Sequence, residues 1–345
     1  MSNKITVGLA GAGWPTWQHL KGYRNVEDVE VSALCDSDPE RLERIADEYG
    51  VPKRYVSFDE MLDQESLDAV SVCTPNYLHS VMAIKALEKG LHVLCEKPMA
   101  DSAQGARAML EASRKAGKAL MVAHMLRFKP GMQFLKKLIQ DGDLGEVYFV
   151  RAWWIRRSGI PGMGGWFTTK AQSGGGALID IGVHILDLAL WLLDFPEPKK
   201  ALGSFGDRFA YRRKGMMDFG TMDLEKIGTL CDVEDFTVGH VAFDRGRSLS
   251  LQCSWASHIK GYEDGIEVWG EEGGAKLKVE ENVLEIYKDQ ESLPVDIRPQ
   301  LPEINPFDEE TRHFIECIRN GTPPLCRPEE GVRTMEVIEM IYGSG

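Results

Sequence analysis

Ile5-Thr6-Val7-Gly8-Leu9-Ala10-Gly11-Ala12-Gly13 decides the reading of this chain: a short apolar run suited to a buried strand passes directly into a turn with two glycines. The segment that follows, to about Arg24, reads as helix, and Val29 to Cys35 reads as a second strand ended by Asp36. Strand, glycine turn, helix, strand and acid is the order in which a helix N-terminus holds a pyrophosphate and a carboxylate takes ribose hydroxyls. Taken alone, Gly-x-Gly is equally explained by an ordinary tight turn. Position 16 is Thr where the dinucleotide fingerprint has its third glycine, which implies a slightly wider gap between helix and sheet, while Pro15 suits the first helical turn.

Outward from this turn the alternation continues. Pro39 to Tyr49, Leu78 to Lys89 and Ala103 to Ala116 are helical by composition, and Ala69 to Cys73, Leu91 to Cys95 and Leu120 to Ala123 are strand candidates. Short β-rich runs separated by helices predict βαβ units with a doubly wound parallel sheet. After about residue 125 the pattern changes to consecutive strand candidates with short turns: Glu146–Arg157, Ala201–Phe209, Phe236–Phe243, Ser248–Trp255, Gly265–Trp269, Ala275–Val279 and Val283–Tyr287. That predicts an α+β domain with an open, mostly antiparallel sheet. The expected division is 1–124 and 125–345, with two helices, about 308–320 and 328–342, closing the chain.

Composition excludes several classes. The 345 residues are 43% hydrophobic and 27% charged, which argues against disorder and collagen, and two domains suit the length. With 40 Lys and Arg against 53 Asp and Glu the net charge is −13, so a nucleic-acid partner is not expected. The greasy stretch Ile185 to Leu193 contains Asp187 and is too short for a bilayer, so no membrane partner is expected either. Seven cysteines form no C-x-x-C pair and are odd in number, and Met1 to Leu9 has no long apolar stretch of the export type; a reducing, cytoplasmic compartment follows as the expectation.

Two further arms carry chemistry. Cys95-Glu96-Lys97-Pro98, and Thr74-Pro75-Asn76 with His79, both sit at the carboxyl edge where open α/β sheets keep ligands. Gly11, Gly13, Trp14, Pro15, Asp36, Ser37, Arg41, Thr74, Pro75, Asn76, His79, Glu96, Lys97 and Arg127 are the candidate cofactor contacts. Asp36 would repel the 2′-phosphate of NADP and favours NAD; Arg41 lies close enough in sequence to neutralise a phosphate if the loop folds that way. The second arm, Gly174-Gly175-Gly176, opens a helix in which Asp180 and His184 are four apart and so neighbours. A carboxylate beside an imidazole raises its basicity, as a general base requires; a core histidine satisfied by a local aspartate is the structural alternative. No third metal ligand at suitable spacing is visible, so a metal site is not expected.

These residues together resemble the Gfo/Idh/MocA family of NAD(P)-dependent oxidoreductases over essentially the full length: the Gly11 turn with His19, Asp36, Thr74-Pro75-Asn76 with His79, Glu96-Lys97-Pro98, Arg127-Phe128 with Pro130, and the three glycines with Asp180 and His184. The resemblance implies an N-terminal Rossmann domain, Lys97, Asp180 and His184 as the acid/base group, and a sugar, polyol or related carbohydrate as substrate. The chain departs from the family at Thr16 and in stopping at Gly345, just after its last helix, where relatives continue briefly. Trp153, Trp154, Arg156, Arg157, Trp166 and Lys170 crowd the stretch before the glycines and are the candidate carbohydrate contacts, with Arg156 and Trp166 foremost. Alternation along Val147 to Arg157 equally builds the two faces of a sheet, and an uncovered apolar face predicts a homo-oligomer, dimer or tetramer. Arg208, Arg212, Arg213 and Lys214 form a basic cluster that reads as a solvated loop or as an anion site. The competing functions are a glycosidase that uses NAD for transient oxidation and a non-catalytic regulator that binds NAD or a sugar.

Overall fold

The structure, a computed structural model, describes residues 4–212, 214 and 231–345. In chain order the elements begin β1 (Ile5–Ala10), α1 (Trp14–Arg24), β2 (Val29–Cys35), α2 (Pro39–Glu48), β3 (Lys53–Tyr55), α3 (Phe58–Gln64), β4 (Ala69–Val72), α4 (Asn76–Glu88), β5 (His92–Glu96), α5 (Ala103–Ala116) and β6 (Leu120–Ala123). The six strands form one parallel sheet in the order β3-β2-β1-β4-β5-β6. Strand order reverses between β1 and β4, which is the point where such sheets open a crevice at their carboxyl ends. Register aligns that edge: Ala10 pairs with Cys35 and with Val72, and Val72 pairs with Cys95. Gly11, Asp36, Cys73 and Glu96 therefore emerge in one row.

The chain continues as α6 (Pro130–Gln140), β7 (Val147–Arg156), α7 (Lys170–Ser173), a π-helical turn (Leu178–Gly182), α8 (Val183–Leu192), β8 (Lys200–Gly206), β9 (Phe236–Ala242), β10 (Ser248–Ser254), β11 (Tyr262–Gly270), β12 (Gly274–Lys278), β13 (Val283–Gln290) and β14 (Leu293–Ile297), followed by α9 (Pro306–Asn320) and α10 (Pro328–Tyr342). Strands β7 to β14 make an eight-stranded sheet ordered β14-β13-β12-β11-β7-β10-β9-β8. Among the described residues, only the β7 and β10 pair of this sheet runs parallel. The fold class is the expected one. Beyond the expected elements the structure adds β3, α3, α6, α7 and β14.

Two compact units result, Met1–Met125 with Asn305–Val332, and Leu126–Ile304 with Arg333–Gly345. A linear split at 124/125 leaves out the return of 305–332 to the first unit. Packing explains that return: the Phe307 ring meets Trp14 edge-on at 5.7 Å, and Gly22 of α1 lies directly against Thr311 of α9.

Within the second unit, an 18-residue window of the helical stretch Lys170–Leu192 has a mean hydropathy of 1.6 and is 89% buried, which makes it a core element. Longer than the Ile185 to Leu193 run read from sequence, it would pass a length-and-composition test for a membrane span. Asp187 inside it is buried because Arg127 is buried with it: the guanidinium engages the carboxylate through Nε at 2.8 Å and a terminal nitrogen at 2.6 Å, beneath the rings of Trp191 and Phe195. Arg127 is thus a structural ion-pair partner in the second unit, where the sequence places it among cofactor contacts.

Removing one member leaves the other charge buried, so Asp187→Ala should destabilise by about 3–5 kcal/mol in urea unfolding. Arg127→Met with Asp187→Leu should recover most of that loss, because neither charge then remains. An equal loss in the double variant would remove the ion pair as the cause.

Candidate functional site

At the first turn of the parallel sheet, Gly11 has φ +93°, and a Cβ there would run into the Cys73 carbonyl. Its own amide donates to Cys35 O at 2.7 Å. The fully buried Thr16 hydroxyl donates to Gly11 O at 2.7 Å, so Thr16 closes the turn with a hydrogen bond in place of the third glycine. Gly13 has an ordinary φ of −77°, and its space is open apart from the Pro15 ring. The N-terminus of α1 carries no side-chain cap and no acidic residue in its first turn, while Trp14 stands 54% exposed beside it.

Asp36 is buried and held on both oxygens. Oδ2 accepts from the Ala12 amide at 2.7 Å and from Arg41 Nε at 3.1 Å; Oδ1 accepts from the Asp38 amide at 2.8 Å and from Arg41 at 2.7 Å. The Asp36 hydrogen bonds raise the Arg41 pKa above its ordinary value against the opposing effect of burial. Ser37 beside them is exposed. At the neighbouring turn, Thr74 Oγ1 is buried with no hydrogen-bond partner among the described residues, and Pro75 leads into α4, whose first residue Asn76 is buried. The cradle at Gly11 and Gly13, the uncapped α1 terminus, the anchored Asp36 and the orphaned Thr74 hydroxyl fit a dinucleotide.

His79 is placed differently from the sequence expectation. It is 1% exposed, with Nδ1 2.7 Å from Pro98 O and Nε2 2.8 Å from Thr74 O. Burial lowers its pKa against those two carbonyls. The ring ties the Thr-Pro-Asn turn to the Glu-Lys-Pro turn instead of presenting a nitrogen to a ligand. Lys97 itself is half-buried, its peptide to Pro98 is cis, and its amide donates to Glu96 Oε2 at 3.1 Å.

In the second unit the glycines allow close approach of different kinds: Gly175 lies against the Tyr342 side chain, and Gly176 against backbone. A Cβ on Gly176 would collide with Glu234 O. The buried Glu234 carboxylate accepts the Gly176 amide at 2.9 Å, the Leu178 amide at 3.0 Å and the Tyr342 hydroxyl at 2.7 Å. Burial pushes this carboxyl up, and those donors pull it back.

Asp180 lies within the π-helical turn, where the ladder shifts from four to five residues. Asp180 and His184 are accordingly oriented by separate strands and not by helical spacing alone. Trp255 Nε1, just past β10, donates to Asp180 Oδ2 at 2.8 Å, and the His184 ring packs 5.6 Å from Trp154 of β7. Arg156 lies over the same indole, 5.6 Å from its centre. Trp166 stacks on Phe167 at 3.7 Å. Trp153 belongs to the opposite face of β7, with Arg151 at 4.9 Å and Lys276 at 5.7 Å from its ring, so it leaves the candidate set. Arg157 is turned to Ile259 O at 2.7 Å, and the Lys170 amide is bound to Asp232.

Of the basic cluster, Arg208 lines a cleft of about 340 Å³ with Phe236, Gln252 and His258; neither Asp180 nor His184 lines it. Arg213 falls outside the described residues. Trp255, Glu234 and Tyr342 were missed in the sequence. Only Trp255 has a local signal, as the next member of the inward row Leu249, Leu251, Cys253.

Residues 5–124 match the model of an oxidoreductase family with an NAD-binding Rossmann fold, and residues 132–276 match that of the GFO/IDH/MocA C-terminal domain. The chain is similar to D-glucoside 3-dehydrogenase of Escherichia coli, 32% identical over 99% of this chain and 96% of that one. It is also similar to D-apiose dehydrogenase of Paraburkholderia graminis, 28% identical over 97% and 86% respectively. Among solved structures, aldose-aldose oxidoreductase from Caulobacter crescentus, complexed with glycerol, superposes with a TM-score of 0.81 at 26% identity over 99% of this chain and 97% of that one. Levoglucosan dehydrogenase in complex with NADH shares the fold, with a TM-score of 0.86 at 22% identity over 99% and 96%.

The Asp36 and Arg41 pair generates a test of cofactor choice. Asp36→Ala removes the carboxylate and leaves a cation beside the ribose position, so the ratio of kcat/KM for NADP to that for NAD should rise at least about tenfold, equivalent to about 1.4 kcal/mol. An unchanged ratio would take Asp36 out of cofactor discrimination.

Proposed function

The chain belongs to the GFO/IDH/MocA oxidoreductase family, and from that premise we propose that it oxidises a secondary alcohol of a sugar, polyol or related carbohydrate with NAD. The observation that carries this reading is the dinucleotide cradle, complete from the α1 terminus to the anchored Asp36. The names of the similar dehydrogenases support a carbohydrate substrate.

Oxidation of an alcohol removes a hydride from carbon and a proton from oxygen. The nicotinamide, when bound, supplies the two-electron acceptor. What the chain supplies is the orientation of the hydroxyl and a path for its proton. His184 takes that proton as the general base. Trp154 sets its ring, and Trp255 sets Asp180, which orients and charge-balances the acid/base group. Lys97, just past β5 at the sheet's carboxyl edge, is the further acid/base residue. Arg156 donates to hydroxyls, and Trp166 offers an aromatic face to sugar C–H surface.

The seven free cysteines support a reducing, cytoplasmic setting. A homo-oligomer is part of the same reading: Val238, Trp269 and Leu202 are 46%, 44% and 67% exposed on strands of the eight-stranded sheet.

A panel of sugars and polyols with NAD, followed by the absorbance of the reduced cofactor, identifies the substrate. With it, Lys97→Met and His184→Ala should each lower kcat by about 10²-fold or more; unchanged turnover in both would sink the assignment. Light scattering should give a mass of two or four chains, and a clean monomer would count against the oligomer.

A further inference from the structure

Beneath the Glu-Lys-Pro turn lies a buried polar chain that the proton path does not use. His19 of α1 is fully buried, with Nε2 3.1 Å from Glu96 Oε1 and Nδ1 3.2 Å from Ser71 Oγ. Ser71 lies 2.7 Å from the Tyr23 hydroxyl. One carboxylate thus joins two groups, because Glu96 Oε1 meets His19 while Oε2 accepts the Lys97 amide. Rotation of that carboxylate breaks both contacts.

Charge makes the arrangement directional. Burial opposes a charged His19, yet the charge and hydrogen bonds of Cys73 and Glu96 outweigh it and push the imidazole up to about 10. Glu96 is held below the usual carboxylate range although burial works the other way, chiefly by His19, then by Lys97 and His79. Burial raises the Cys73 thiol and the Tyr23 phenol, and burial with the Glu96 charge raises Glu310, whose oxygens meet no partner among the described residues. An ion pair isolated in low dielectric tolerates little disorder, because either charge left alone is penalised heavily.

We propose that His19 is a positioning residue: its contact with Glu96 fixes the Glu-Lys-Pro turn and thereby the direction of the Lys97 side chain during proton transfer. This rests on the sugar-oxidoreductase reading above. It also links α1, whose N-terminus belongs to the dinucleotide cradle, to the reactive turn 77 residues away.

The test uses the full chain with His19→Ala and His19→Gln, the second keeping an amide donor toward Glu96. Hydrogen exchange of the Lys97 amide should quicken at least about tenfold in His19→Ala and stay near the parent rate in His19→Gln. For the best sugar of the panel, kcat should fall by about 10²-fold in His19→Ala. KM for NAD and the NADH dissociation constant by fluorescence should both change by less than about twofold, and His19→Gln should recover most of kcat. Without the imidazolium the buried Glu96 takes up a proton more readily, so the acid limb of the kcat–pH profile should move up by about one pH unit or more. Ser71→Ala should move exchange and kcat in the same directions by less, and serves where His19→Ala does not fold. Parent-like exchange at Lys97 overturns the proposal, as does faster exchange with unchanged kcat and pH profile. If the parent oxidises no sugar, the functional reading fails by itself, and the exchange rate still decides whether His19 holds the turn.

Discussion

The Cα of Gly11 lies against the Cys73 carbonyl with no room for a side chain, and the first unit's crevice depends on that contact. It lets the turn after β1 fold over the end of β4 where the strand order reverses. With the two turns in contact, register does the rest: Asp36 follows its pairing with β1, and Glu96 follows its pairing with β4. Four short segments, scattered over about eighty residues of sequence, thereby meet along one sheet edge.

Buried polar groups then convert that edge into fixed geometry. Asp36, His79 and Glu96 are each mostly buried, and each is bound at two or more atoms. In the second unit Glu234 and the Arg127–Asp187 pair follow the same rule. A satisfied polar network in low dielectric specifies one arrangement, since every alternative strands a donor or an acceptor. The apolar core supplies most of the driving force; these networks settle which way side chains at the two candidate sites point.

Much of this was legible in the sequence. The strands β2 and β6 and the helices α5 and α10 have the expected boundaries because periodicity and caps agree there. Strand β3 has three residues and no apolar run, α3 has seven residues, and β14 is a largely exposed hairpin arm, so none leaves a strong periodic trace. The π-helical turn is invisible for another reason, since Leu178 to Gly182 reads as ordinary helix until its hydrogen bonds are seen. The intramolecular partners of Arg127 and His79 were not legible, because motif position says which edge a residue occupies, not whether its polar atoms are already engaged. Contacts such as Trp255 to Asp180, 75 residues apart, have no local signature at all.

The first unit is discontinuous, and this bears on how the protein is made. Chains emerge from the ribosome N-terminus first, so residues 1–125 are complete long before Asn305–Val332 exists. Until then Gly22 of α1 lacks Thr311, and the Trp14 ring lacks Phe307. The whole second-unit sheet is translated in that interval. The first unit is therefore the first to begin folding and among the last to finish.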